Sequence, residues 1–80
     1  MRFVAKLDRI TIDPQKMNGQ PCIRGMRLTV RRVLLAAATY GTGEELHRAY
    51  PDLEDEDLRQ ALEYAAANLD DRVEELATAQ

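Results

Sequence analysis

A single cysteine, Cys22, and a single histidine, His47, in 80 residues remove two kinds of staple at once. An internal disulfide needs a second thiol, and one Cys with one His is too few for a zinc site. No apolar run approaches the ~18 residues of a membrane-spanning helix. The opening Met1-Arg2-Phe3-Val4-Ala5-Lys6 has too short an apolar core for a signal peptide. No internal repeat or low-complexity tract interrupts the chain. The expectation is therefore one small cytoplasmic domain over residues 1–80, with no membrane contact, cofactor or metal. A chain this short buries only roughly 60% of the surface its unfolded form exposes. A homodimer is expected to enlarge its core.

The charges are present but unevenly spread. Residues 1–32 hold eight Lys/Arg against Asp8 and Asp13, a net +6. Residues 33–80 hold three Arg against twelve Asp/Glu, a net −9, and the two halves recover the chain's −3. Such polarity points to nucleic acid, to an acidic partner, or to the opposite half of the same molecule.

Residues 1–29 read as an arm of extended pieces and tight turns. Arg9-Ile10-Thr11-Ile12 alternates, placing Ile10 and Ile12 on one face of a short strand. That strand lacks an obvious local partner and could pair across a two-fold axis. Asp13-Pro14 resembles a helix start, stopped one turn later at Asn18-Gly19. Around Arg24-Gly25-Met26-Arg27 a tight hairpin is expected, with Gly25 first of the two central residues of a type II′ turn. Cys22-Ile23 and Leu28-Thr29 would be its strands.

From Val30 the period becomes helical, and residues 30–80 read as a helical bundle. Val30, Val33, Leu34, Ala37 and Ala38 form one apolar stripe, ended by Gly41 and Gly43. Thr42 with Glu45 has the spacing of a capping box for a second helix, which stops near Pro51. A turn at Pro51-Asp52-Leu53 follows, with Leu53 plugging the core. The third helix carries Leu58, Ala61, Leu62, Ala65, Ala66 and Leu69 inward. Either it continues through Val73, Leu76 and Ala77, or a bend near Asn68-Leu69-Asp70 starts a fourth. The fold class is mainly α, with three or four helices and a small β element around residues 9–12 and 22–29. Helix lengths and turns are compatible with a helix-turn-helix.

Several motifs together resemble a known family: Arg9-Ile10-Thr11-Ile12-Asp13-Pro14, Gly19-x-Pro21-Cys22-Ile23-Arg24-Gly25-x-Arg27-Leu28-x-Val30, Tyr50-Pro51-x-Leu53, and Asp57-Leu58-x-x-Ala61-Leu62-x-Tyr64-Ala65. In order and spacing, over roughly residues 9 to 66, they resemble the small bacterial "domain of unknown function 433" family. The resemblance implies a homeodomain-like helix-turn-helix. It also implies the antitoxin of a type II toxin–antitoxin pair, neutralising a PIN-like ribonuclease toxin; binding of its own operator DNA is a further expectation, taken from the charge distribution. The alternative is a stand-alone transcriptional regulator or an interaction module that binds no DNA. Two positions depart from the family pattern: Met26, where a small Thr is usual, and Glu54, where a Ser/Thr cap is common.

A helix-turn-helix leads into the major groove with the N-terminus of its second helix. Here that helix opens Glu54-Asp55-Glu56-Asp57, four carboxylates that would repel phosphate. Acids at a helix start also favour its dipole, by ~0.3–1 kcal/mol each. The DNA-binding candidates are instead Arg24, Arg27, Arg31 and Arg32, on the turn and at the start of the first helix. Their planar forks suit phosphate, although pairing with the acids of the C-terminal half is the competing use. Toxin contact is assigned to Leu69, Asp70, Val73, Glu74 and Leu76, an apolar stripe flanked by acids. Cys22 reads as a small buried hydrophobe and His47 as solvated. No catalytic residue is expected, because no nucleophile has a base and an orienting group at a suitable spacing.

Overall fold

The computed structural model describes residues 2–4 and 6–69. Among these, three short strands precede three helices: β1 (Arg2–Val4), β2 (Leu7–Ile12), β3 (Cys22–Ile23), α1 (Val30–Tyr40), α2 (Glu44–Ala49) and α3 (Asp55–Ala67). The domain is mainly helical with a small N-terminal β element. The strands form an antiparallel sheet of order β1-β2-β3.

β2 is the central strand. Ile10 lies opposite Ile23 and Thr11 opposite Cys22, while β1 covers the other edge. Both edges of β2 are thus occupied within the chain, which removes the unpaired strand that was to join two protomers. Central placement also buries Thr11 along with Ile10, and Ile12 is left half-buried. Thr11 satisfies its hydroxyl by accepting the Gly25 N–H at 2.9 Å and donating to the Cys22 carbonyl at 3.4 Å.

Asp13-Pro14 does not start a helix. The Asp13 carboxylate accepts the Gln15 N–H at 2.9 Å and its carbonyl accepts Lys16 N–H at 2.9 Å, closing a local turn. Met17, Asn18 and Gly19 then take φ of 50°, 59° and 79°, a left-handed bend that swings the chain back to β3. The hairpin turn also differs from its expected type. The Met26 N–H donates to the Ile23 carbonyl at 2.7 Å, so the central pair is Arg24-Gly25, one residue earlier than expected. Both have positive φ, 46° and 73°, as a type I′ turn requires and a II′ turn does not. Leu28-Thr29 contributes a single bridge, Cys22 to Thr29, in place of a strand.

α1 begins at Val30, as the period change indicates. Its cap is Thr29, whose hydroxyl accepts the Arg32 N–H at 3.0 Å. The buried positions are Val30, Val33 and Ala36, while Ala38 is exposed. α2 is capped by Gly43 with no side-chain hydrogen bond, so Thr42 and Glu45 form no capping box. Leu53 is buried between α2 and α3, as expected of a plug. α3 ends at Ala67, and Leu62 stands 49% exposed where the stripe had placed it inward. The core joins Leu7, Ile10 and Ile23 of the sheet to Val33, Leu46, Leu53, Leu58 and Ala61.

Candidate nucleic-acid interface

The hairpin turn aims Arg24 at the start of α3. Its Nε and Nη2 donate to the two oxygens of Asp57, at 3.0 and 2.9 Å, and Nη2 also donates to the Asp52 carbonyl at 2.8 Å. Arg9, from β2, donates to Asp57 at 3.0 Å and to Glu54. Asp57 itself is 0% exposed and accepts a further hydrogen bond from the Glu54 N–H at 2.9 Å. Burial pushes its carboxyl upward. Arg24, the Glu54 N–H and Arg9 together outweigh that, so its pKa lies below the ordinary value. Both guanidiniums are raised in turn by their carboxylate partners.

Arg24 was a candidate phosphate ligand; the fold gives it the competing use, an ion pair that ties the turn to α3. The acidic opening of α3 is engaged throughout. Glu54 pairs with Arg9, Asp55 with His47 at 2.7 Å, Glu56 with Arg59 at 2.6 Å, and Asp57 with Arg9 and Arg24. Hydrogen bonds from Arg59 and Gln60 hold the Glu56 carboxyl at about 2. These carboxylates do more than favour a helix dipole: Asp57 is a buried anchor, and replacing it would disturb the fold.

Sequence reasoning missed Asp57, Gln60 and Arg9 as a unit. Gln60 is buried, accepts the Arg9 N–H at 2.9 Å, and donates to Asp8 and Glu56, both at 2.8 Å. The available signal was the i, i+3 spacing of Asp57 and Gln60 beside Leu58 and Ala61, on the inward half of the helix. His47 is half-buried, not solvated: Nδ1 lies 3.0 Å from the Leu53 carbonyl and Nε2 beside Asp55, a clasp across the α2–α3 turn. Cys22 is buried, and that burial raises its thiol pKa.

The other three arginines stay together. Arg27, Arg31 and Arg32 line one cleft of about 320 Å³ with Met17, Gln20 and Thr29. Among the described residues no carboxylate lies within 4.0 Å of any of the three, and Arg27 Nη1 rests 4.0 Å from the Met17 sulfur. The cleft sits at the N-terminal end of α1, whose first turn carries no acid. Of the four arginines singled out in the sequence, the fold thus brings three together and diverts one.

A second feature adjoins it. Pro21, Val30, Leu34, Tyr64, Ala65 and Leu69 line an almost wholly apolar groove of about 290 Å³, with Arg31 at its rim. Leu69 is 73% exposed. Asp70, Val73, Glu74 and Leu76, the rest of the expected toxin-facing set, lie outside the described residues. No helix among the described residues is long and apolar enough to cross a membrane.

No curated protein and no solved structure matches the chain. The family described as protein of unknown function (DUF433) matches residues 10–65, from the central strand to the last buried turns of α3. The match takes in the hairpin turn, Thr29 with the arginine pair behind it, and the Asp57 anchor. The chain belongs to the DUF433 family.

Proposed function

We propose that this chain is the antitoxin of a type II toxin–antitoxin pair that also binds its operator DNA, and that α1 rather than α3 meets the phosphate backbone. The observation that carries the DNA half is the arginine cleft. Arg27, Arg31 and Arg32 have no carboxylate partner among the described residues, while the acids opening α3 are all engaged within the chain. Affinity for DNA comes largely from Lys/Arg neutralising phosphate, and here Arg27, Arg31 and Arg32 stand on α1 and the turn before it. The α2–turn–α3 segment is read as a helix-turn-helix whose second helix is too acidic at its start to lead.

The toxin half rests on the family resemblance and on the exposed apolar groove ending at Leu69, a surface suited to a protein partner. The partner expected is a PIN-like ribonuclease encoded next to this gene.

The test is fluorescence anisotropy on the protein's own promoter fragment across a salt series. Arg31→Ala and Arg32→Ala should each flatten the slope of log affinity against log salt by about one unit. If both variants bind like the wild type while Asp55→Ala abolishes binding, the surface is wrong. Co-expression with the neighbouring reading frame tests the other half: failure to pull that product down leaves only a stand-alone regulator.

A further inference from the structure

The geometry points to a seat for a short phosphate chain, a di- or triphosphate group, in the cleft between Arg27, Arg31 and Arg32. The site is the same arginine face that the DNA reading uses, yet the inference stands or falls on its own measurement. Three properties of the cleft distinguish it from a surface that merely tracks a duplex.

The first is concentration of charge. Backbone phosphates present one charge each, spaced along a duplex, and are best met by cations spread along a face. Here three arginines line one cleft of about 320 Å³, at the lower end of the ~300–1,000 Å³ of small-ligand pockets. Like charges around one cleft favour a compact polyanion within it. Polyphosphate groups concentrate several charges in that space, and planar guanidinium forks match their oxygens.

The second is the hydroxyl of Thr29, which has one partner and capacity for another. Thr29 lines the cleft and is only 8% exposed. Its oxygen accepts the Arg32 N–H at 3.0 Å, and among the described residues its own hydrogen goes to no acceptor. A hydroxyl carries one donor besides its acceptor lone pairs, so a phosphate oxygen in the cleft would complete it. The third is the framing of the walls. Arg27 is held against Met17, Thr29 is fixed as the α1 cap, and the acid-free first turn of α1 adds the positive end of an eleven-residue helix. Gln20 also lines the cleft.

Isothermal titration of the intact protein with inorganic tripolyphosphate, pyrophosphate and orthophosphate tests the seat. Tripolyphosphate should bind with one-to-one stoichiometry and at least tenfold more tightly than orthophosphate. Arg31→Ala and Arg32→Ala should each weaken it about tenfold, the loss of one charge-assisted contact. Arg48→Ala, on the exposed face of α2, should leave it unchanged, and circular dichroism of each variant confirms folding. Equal affinity for tripolyphosphate and orthophosphate, or unchanged binding by both cleft variants, overturns the inference. ATP and a pair of RNA oligomers, one 5′-triphosphorylated and one 5′-hydroxyl, separate the sources. ATP binding as tightly as tripolyphosphate assigns the seat to free nucleotides, and a preference for the triphosphorylated oligomer over ATP assigns it to transcript ends. Promoter binding is measured on the same variants. Its loss with tripolyphosphate binding intact sinks this inference and spares the DNA reading; tripolyphosphate binding by a protein that ignores its promoter does the reverse.

Discussion

Replacing Asp57 with Asn removes one charge and almost no volume from a site where four donors converge. Asp57 accepts from Arg9 Nη1, Arg24 Nε and Nη2, and the Glu54 N–H, all between 2.9 and 3.0 Å at their nearest oxygens. An amide retains one acceptor oxygen and turns two hydrogens towards groups that are themselves donors. Breaking a buried ion pair by removing one partner costs about 3–5 kcal/mol. Arg9 and Arg24 keep 27% and 34% of their side-chain surface and can recover water, which reduces the expected loss to about 2–4 kcal/mol. An 80-residue domain has about 4–12 kcal/mol in total, and a melting point falling roughly 4–8 °C per kcal/mol. Asp57→Asn should therefore lower the midpoint by roughly 8–32 °C. Thermal and urea melts followed by circular dichroism measure the midpoint and the free energy, with Arg24→Gln and the double variant closing a cycle. The double variant should lose less than the sum of the singles, because they share the interaction. The pH dependence gives an independent sign. The folded carboxyl lies below its ordinary value, so its contribution is complete above the usual Asp range near ~3.9 and is lost as pH falls through the depressed folded pKa. The gap between wild type and Asp57→Asn should thus narrow in acid. If Asp57→Asn costs less than about 0.5 kcal/mol at neutral pH, the level of an ordinary surface change, the anchor is not what joins sheet and helix.

Two further measurements probe the frame around the site. Gly41, which caps α1, has φ 84° and ψ −173°, with open space where a Cβ would stand. Gly41→Ala should therefore cost about 1–3 kcal/mol purely as backbone strain, read as a lower urea midpoint. The Glu56 carboxyl, held at about 2 by Arg59 and then Gln60, should titrate there by NMR, and Arg59→Ala should return it towards the ordinary ~4.3.

The helices were largely legible because their signals are local. The change of period at Val30, Gly41 after the first helix, and Leu53 between two amphipathic segments each announce their role within a few residues. The anchor was not legible, for a reason of the same kind. Four consecutive acids at a helix start have a sufficient local use in the dipole, and the spacing that puts Asp57 on the inward half of α3 does not say what its carboxylate meets there. What selects it is Arg24 and Arg9, 33 and 48 residues away in the chain. The hairpin turn was misread by one position because Gly25 was assumed to take the first left-handed place. Arg24 occupies it instead at φ 46°, which suits the side chain that must reach Asp57 and Asp52.

The polarity of the chain acquires two separate meanings once these partners are known. Some of the N-terminal positive charge is structural: Arg9 and Arg24 neutralise carboxylates at the start of α3 and bind the arm to the helices. Without them α3 would open with a dense negative cluster against the sheet. Another part, Arg27, Arg31 and Arg32, faces a cleft in which no described carboxylate comes within salt-bridge distance. A protein that needed arginine only to balance its own acids would have no physical reason to gather three of them there. An anion that enters the cleft meets walls that carry three positive charges. The arginines that fold the domain and those free to bind are therefore separable by mutation: charge removal at Arg24 should be read in a melt, and at Arg31 and Arg32 in a salt series.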